Sequence, residues 1–218
     1  MNGLAPQTSL LFDAITRMES IKPFVLVGGT ALSLQIGCRL SEDLDFMRWK
    51  QGANDKLEVG WPVIKHELET IGNIEVENIL GFDHAEFVVN GVKLSFYAAP
   101  RKQIPSMQTI PYQNNLRLAD VKSIGAMKME VMLRRAKFRD YYDLYSILKS
   151  GIAIEDMITM ALEHSGHRLK RKNLLAMITN GELYVKDKSF LQLSPVYDVT
   201  AMDIQDFIKQ KLVNPLIP

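Results

Sequence analysis

The stretch that decides the fold is Phe24-Val25-Leu26-Val27-Gly28-Gly29-Thr30-Ala31-Leu32. It opens with an apolar run that ends at glycine, a pattern typical of a short buried strand. The residues after the glycines follow helical spacing up to Gly37, which predicts a short helix. Glycines at such a turn let backbone amides approach a phosphate, and the dipole of the following helix favours an anion. The stretch therefore predicts a phosphate cradle.

The next strand-like run, Ser41-Glu42-Asp43-Leu44-Asp45-Phe46, carries two aspartates at alternate positions. Residues two apart on a strand point to the same face, so Asp43 and Asp45 would present their carboxylates side by side. Two ionised carboxylates repel each other at that distance, and a divalent cation relieves the repulsion. Mg²⁺ favours one or two protein carboxylates, with phosphates and waters as its other ligands. Together with the cradle, the pair predicts nucleotidyl transfer; an exposed strand edge or a surface turn is the alternative.

These two runs resemble the signature of the DNA polymerase β-like nucleotidyltransferase superfamily, and the form GGTALSLQIGCRLSEDLDF resembles the AbiEii/AbiGii toxin family within it. A second block strengthens the resemblance: a helical Lys128, followed after a short interval by Arg139-Asp140-Tyr141-Tyr142-Asp143-Leu144. The resemblance covers residues 20 to 150 and implies an α+β fold. A nucleotidyltransferase lobe with a mixed or antiparallel sheet is expected over residues 1–115. A helical lobe that completes the active site is expected over residues 116–218.

The resemblance also implies roles for individual residues. The residues expected to hold the triphosphate of the nucleotide are Gly28, Gly29, Thr30 and Ser41. Asp43 and Asp45 would bind Mg²⁺ or Mn²⁺, Lys128 would neutralise charge on the triphosphate, and Asp140 would complete the site. Each has an ordinary alternative. Ser41 is equally a cap or turn residue, Lys128 a surface lysine with a buried stem, and Asp140 a partner for a nearby arginine.

Ser95 departs from the superfamily pattern, which usually places a third carboxylate on a later strand, where it helps to deprotonate the attacking hydroxyl. If Asn90-Gly91 forms a two-residue hairpin turn, Glu86 lies directly opposite Ser95, and opposed residues share a sheet face. The same register puts apolar side chains on the core face: Phe87, Val89, Val92 and Leu94. We therefore expect Glu86, or Asp140, to supply the third acid; an exposed glutamate on a solvated face is the alternative.

Periodicity and turn signals divide the rest of the chain. They predict strands over 24–27, 44–48, 74–80, 85–89 and 92–97. They predict helices over 9–18, 30–36, 62–71, 121–136, 154–164, 170–179 and 201–212, with a further helix that ends at 149. Residues 100–115 carry turn signals and little pattern, and are interpreted as a link between the lobes.

Composition excludes several classes of protein. The 218 residues hold 26 lysines and arginines against 25 aspartates and glutamates, so no global field drives the chain onto nucleic acid or a membrane. Two local basic clusters, 134–139 and 168–172, are either solvated faces or a phosphate-tracking groove for RNA. Cys38 is the only cysteine, which excludes an internal disulfide. The sequence shows no signal peptide and no apolar run near the ~20 residues of a membrane span. A cytoplasmic protein without membrane contact is predicted.

The patterns predict transfer of a nucleoside monophosphate from an NTP, and the resemblance implies that the acceptor is a hydroxyl of RNA, tRNA among the candidates, or of a protein. The resemblance implies a toxin of a toxin–antitoxin or abortive-infection system, beside a separate antitoxin protein. Because Ser95 replaces the third acid, the alternative is a degenerate homologue that binds a nucleotide or a partner without turnover. A phosphotransferase or nucleotide hydrolase ranks below both, since the sequence lacks a GxxxxGK[ST] loop.

Overall fold

The chain folds into two compact units, seen in a computed structural model that describes residues 3–50, 54–100, 107–165, 168–186 and 188–214. Within those residues, the first unit comprises the chain up to Leu34 together with Leu40–Asp120. The second unit comprises Gln35–Arg39 and the chain from Val121 onward. Among the described helices, none is both long and apolar enough to cross a bilayer.

A mixed sheet forms the centre of the first unit. Its strands within the described residues are β1 Val25–Val27, β2 Leu44–Trp49, β3 Ile74–Ile79, β4 His84–Val89, β5 Val92–Ala99, β6 Thr109–Gln113 and β7 Leu116–Ala119. They lie in the order β3-β4-β5-β2-β1-β7-β6. The β1–β7 and β2–β5 pairs are parallel, and the other neighbours are antiparallel. The predicted fold class, α+β with a mixed sheet, is confirmed.

One face of this sheet forms the core of the first unit. Strand β1 is buried along its whole length, because it has neighbours on both sides and apolar residues at every position. In β4 and β5, burial alternates along the strand. Phe96 is fully buried and stacks on Phe46, with ring centroids 5.0 Å apart, and packs edge-on against Phe24. The alternate positions carry polar side chains, among them Glu86 and Ser95.

Three helices accompany the sheet strands in sequence: α1 Pro6–Thr16, α2 Gly28–Ile36 and α3 Trp61–Ile71. Proline lies in the first turn of α1 and of α3, where its missing N–H costs nothing. Helix α2 follows β1 directly, as the glycine pair predicts.

The second unit is helical, in agreement with the expectation for the C-terminal region. Its described helices are α4 Val121–Met132, α5 Phe138–Lys149, α6 Ile154–His164, α7 Arg171–Ile178, α8 Lys188–Leu191 and α9 Ala201–Val213, with a short 3-10 helix at Gly181–Leu183. Helix α9 begins with a capping box in which Thr200 and Asp203 satisfy each other's backbone amides. Helix α4 ends at Met132, earlier than its predicted end at residue 136, and residues 133–137 are exposed.

The interpretation of residues 100–115 as a link is wrong for Thr109–Gln113, which form β6. This strand pairs with β7 through a turn at Asn114, whose φ is +49°. Strand β6 lies at the sheet edge and is largely exposed, so its sequence shows no alternation of apolar and polar residues. Residues 101–106 lie outside the described residues. The predicted lobe boundary, between residues 115 and 116, falls within this hairpin.

Candidate functional site

The turn between β1 and α2 lies against the carboxylate of Asp45. Gly28 has φ +72°, a backbone conformation that favours glycine. A Cβ built on Gly28 would lie 3.0 Å from Asp45 Oδ2, so a side chain there would press on that carboxylate. The strand register produces this approach, because Val27 pairs with Asp45 across β1 and β2. The structure therefore brings the predicted cradle and one predicted metal ligand together.

Thr30 and Ser41 fix the loop that leads into β2. Thr30 Oγ1 lies 2.8 Å from Ser41 Oγ and is also hydrogen-bonded to the main-chain carbonyl of Asp43. Both side chains are buried. These hydrogen bonds thus connect the first turn of α2 to the backbone of Asp43. The expectation that Thr30 and Ser41 contact phosphate themselves stays a prediction.

Asp43 and Asp45 are both partly exposed. Asp43 precedes β2 directly, and Asp45 lies within it, paired with Ser95 of the parallel strand β5. Burial raises the pKa of nearby Tyr97, and the negative charge of Asp45 raises it further. The Asp45 carboxylate is therefore close enough to Tyr97 for its charge to raise the pKa of that phenol.

The residues present fit a divalent cation whose remaining ligands come from the phosphates of a nucleotide. Within the described ranges, no group of three or more His, Cys, Asp or Glu side chains could hold a metal, so a cation at Asp43 and Asp45 would take two carboxylates from this chain. Mg²⁺ is commonly held by one or two carboxylates plus substrate phosphates. Beside the pair, Ser95 Oγ is fully buried and has no hydrogen-bond partner among the residues that the structure describes. A water or a ligand group would satisfy this hydroxyl, as it would the other buried polar atoms of this kind, among them Ser33 Oγ.

The register predicted for the β4–β5 hairpin is confirmed. Glu86 pairs with Ser95, Phe87 with Leu94 and Val89 with Val92. The four predicted core residues are all buried: Phe87, Val89, Val92 and Leu94. Since Ser95 also pairs with Asp45, the row Asp45–Ser95–Glu86 runs across three neighbouring strands on one face.

A lysine and a histidine lie beside the Glu86 carboxylate. Lys93 Nζ lies 2.8 Å from Glu86 Oε1, and His84 Nε2 lies 3.3 Å from the same oxygen. Partial burial raises the pKa of Glu86, but the hydrogen bond and charge of Lys93 outweigh this, and the pKa is lowered overall. A carboxylate with a lowered pKa is a weak general base. The role of Glu86 as third acid stays a prediction that its surroundings do not favour.

The second unit holds a buried cluster of alternating charges. Lys128 Nζ lies 2.7 Å from Asp140 Oδ1 and 2.7 Å from Asp143 Oδ2. Arg39 donates two hydrogen bonds to Asp143, of 2.7 and 2.9 Å. Arg135 reaches Asp140 Oδ2 at 3.1 Å from the exposed side. Helices α4 and α5 supply most of the cluster, since Lys128 lies on α4 and both aspartates lie on α5.

Mutual attraction favours the charged forms of Asp143 and Lys128 despite their burial. Burial raises the pKa of Asp143, but the charges of Arg39 and Lys128 more than offset it, and the pKa lies below its usual range. Burial lowers the pKa of Lys128, and the two aspartates reverse that effect, so its pKa is raised. The roles expected for Lys128 and Asp140 toward a triphosphate stay predictions. Arg39 is not among the residues predicted from the sequence, because its only local signal is a charge between the apolar residues Cys38 and Leu40.

Solved structures of other proteins share this fold. MenT4, a nucleotidyltransferase toxin from Mycobacterium tuberculosis H37Rv, superposes with a TM-score of 0.59 at 16% identity, covering 95% of this chain and 84% of its own. A putative nucleotidyltransferase from Helicobacter pylori gives 0.54 at 20% identity, covering 99% of this chain and 100% of its own. At these identities the likeness shows the fold alone.

The sequence supplies the family. Residues 9–215 match the family described as nucleotidyl transferase AbiEii toxin of a type IV toxin–antitoxin system. This chain therefore belongs to the AbiEii nucleotidyltransferase toxin family, as the two motif blocks indicate. An uncharacterized protein of Aquifex aeolicus (strain VF5) is 24% identical over 220 residues, which span 97% of each chain.

Proposed function

We propose that this protein uses a divalent cation, Mg²⁺ or Mn²⁺, to transfer a nucleoside monophosphate from an NTP to a hydroxyl of an RNA or a protein. The observation that carries the proposal is the placement of the Gly28 turn against the Asp45 carboxylate, 3.0 Å from a Cβ built on that glycine. This turn begins α2, where backbone amides favour a phosphate. The Gly28 turn thus offers backbone N–H donors for a phosphate, beside a carboxylate that would bind the divalent cation of that phosphate.

In the proposed reaction, the acceptor hydroxyl loses its proton to water, and its oxygen bonds to the α-phosphorus of the NTP. The bond from that phosphorus to the bridging oxygen of the β-phosphate breaks, and pyrophosphate leaves with the electron pair. Asp43 and Asp45 would hold the cation, which when bound neutralises phosphate charge and lowers the pKa of the acceptor hydroxyl. Gly28 and Gly29 would orient the phosphates, and Thr30 and Ser41 would keep the Asp43 loop in place. Most of the catalysis would come from positioning and charge.

We also propose that Lys128 and Asp140 contribute to transfer. The family resemblance supports this, and so does the raised pKa of Lys128, which keeps its ammonium charged. Membership of a type IV toxin–antitoxin family implies a separate antitoxin protein. A reducing cytoplasm suits the buried thiol of Cys38, whose pKa burial raises to about 11.

A second candidate rests on Ser95. Its hydroxyl stands where the superfamily expectation places an acid, and the neighbouring Glu86 is engaged by Lys93. A protein with this site could bind a nucleotide, or a partner, and fail to transfer. Both candidates would bind the phosphates at the Gly28 turn. They differ in whether the bound nucleotide is transferred.

A labelled-transfer experiment separates the two. The wild-type protein is incubated with each α-³²P NTP, Mg²⁺ and total RNA, beside an Asp43→Asn/Asp45→Asn variant. Asp13→Asn serves as the matched control, because Asp13 pairs with Arg17 on an exposed face of α1. We expect label in RNA or protein for the wild type and the control, and none for the double variant. Nucleotide binding without transfer would favour the degenerate homologue, and transfer by the double variant would refute the proposed site.

A further inference from the structure

Lys93 lies on the same sheet face as the aspartate pair. Leu44 pairs with Leu94, so the register sets Lys93 beside the residue that precedes Leu44, which is Asp43. The charge of Asp43 acts on Lys93, since it contributes to the raised pKa of that ammonium, after the larger effect of Glu86. The Lys93 side chain is 43% exposed, so its charge faces the open side of the sheet.

Glu86 anchors this ammonium. Lys93 pairs across the strands with Val88, which makes Glu86 its diagonal neighbour, within reach of a long side chain. The ion pair of 2.8 Å holds Lys93 Nζ to one oxygen of Glu86, and Glu86 itself is only 18% exposed. His84 contacts the same oxygen of Glu86. The positive charge of Lys93 is therefore held in place on the sheet.

The charges around Asp43 and Asp45 suit one divalent cation. Ser95 is neutral and fully buried, so it adds no charge where a third carboxylate is expected. No larger cluster of metal-ligating side chains occurs in the part of the chain that the structure describes. In the described part of this sheet face, the further carboxylate of the row is Glu86, which is already ion-paired with Lys93. A second divalent cation would be repelled by the ammonium of Lys93.

We propose that Lys93 supplies a fixed positive charge at the Asp43–Asp45 pair, so that the site takes one divalent cation per bound nucleotide and not two. This inference rests on the proposed function and deepens it. Glu86 then acts through Lys93 as a positioning residue and is not the third acid.

The binding of Mn²⁺ tests the inference without any turnover. Free Mn²⁺ is followed by electron paramagnetic resonance, with the non-hydrolysable α,β-methylene analogue of each NTP in turn. We expect one Mn²⁺ per protein for the wild type in the presence of the bound analogue. In Lys93→Met, the ammonium is removed and Glu86 is released, so we expect Mn²⁺ to bind about tenfold more tightly. Lys93→Arg keeps the charge and should bind Mn²⁺ as the wild type does.

Two further variants complete the test. Lys65→Met is the matched control, because Lys65 is also partly exposed and ion-paired, 2.6 Å from Glu77 on the same unit. It should leave the affinity for Mn²⁺ unchanged. Lys93→Met/Ser95→Asp restores a third carboxylate and should bind two Mn²⁺, provided that circular dichroism shows a native fold; the single variant Lys93→Met does not depend on that buried change.

The outcomes are distinguishable. Two Mn²⁺ per wild-type protein, or an unchanged affinity in Lys93→Met, would overturn the inference and leave the proposed function standing. An absence of nucleotide-dependent Mn²⁺ binding with every analogue would overturn the proposed function, and the inference with it.

Discussion

At the scale of single residues, Gly28 and Asp45 are the pair on which the account depends. The backbone of Gly28 is left-handed, and its missing side chain leaves room for the Asp45 carboxylate. Gly91 has a similar φ, +78°, but a Cβ built on it would meet no atom within 4 Å. Substitutions at the two glycines can therefore be compared. Both carry the free-energy cost of a left-handed backbone, and only the one at Gly28 adds a contact with Asp45.

Gly28→Ala should destabilise the fold by about 1–2 kcal/mol, the cost of a left-handed residue with a Cβ. It should also reduce transfer at least about tenfold, since the new methyl displaces the Asp45 carboxylate. Gly91→Ala should show a similar loss of stability and keep full transfer activity. Urea denaturation and the labelled-transfer assay measure the two effects. Equal loss of transfer in both variants would mean that the contact with Asp45 is unimportant.

Asp143 gives a prediction for pH. Its pKa is lowered in the folded protein by Arg39 and Lys128, so its contribution to stability is present above the unfolded pKa and is lost as pH falls through the folded value. Asp143→Asn leaves two buried cations underpaired, and we expect a loss of about 3–5 kcal/mol near neutral pH. Denaturation between neutral pH and strong acid should show a smaller acid-dependent loss in Asp143→Asn than in the wild type. An identical pH dependence in both would contradict the assignment.

At the scale of secondary-structure elements, local signals explain what the sequence predicts well. Asn90-Gly91 specifies a two-residue turn, and with it the register of β4 and β5, because the pairing follows from the turn. Strand β6 escapes prediction because it is an exposed edge strand whose sequence shows no alternation of apolar and polar residues. Arg39 escapes for a different reason: its partner Asp143 is 104 residues away in the sequence. The glycine pair and the two aspartates were predictable because each motif lies within a few residues.

The aromatic core gives a prediction at the same scale. Phe96 of β5 is fully buried and contacts Phe24 and Phe46, so Phe96→Ala should cost about 3–5 kcal/mol of unfolding free energy. Phe82 is 81% exposed, and Phe82→Ala should change stability by less than about 0.5 kcal/mol. Chemical denaturation of both variants measures the difference. Similar values for the two would refute the assignment of the core.

At the scale of the whole molecule, the chain combines a sheet unit that carries the candidate site with a helical unit that carries the buried charge cluster. The family match spans both, over residues 9–215. The formal net charge of the chain, +1, gives no strong general attraction to nucleic acid, so an RNA acceptor would have to be recognised by local surfaces.

Toxicity is the expected consequence in a cell. Induced expression of the wild-type chain in a bacterial host that lacks the antitoxin should arrest growth, because the family is one of nucleotidyltransferase toxins. Asp43→Asn/Asp45→Asn should permit growth at equal expression, and Asp13→Asn should arrest it. Growth curves with matched immunoblots give the comparison. Arrest by the double variant would show that toxicity does not need the aspartate pair.

The central claim is that Asp43 and Asp45 hold a divalent cation for nucleotidyl transfer. The most direct measurement is incorporation of label from α-³²P NTP into acceptor by the purified protein, with Mg²⁺, with EDTA, and with Mg²⁺ restored in excess. We expect incorporation with Mg²⁺, none with EDTA, and recovery when Mg²⁺ is restored. Undiminished incorporation in EDTA would contradict it, and so would incorporation by Asp45→Asn at the wild-type rate.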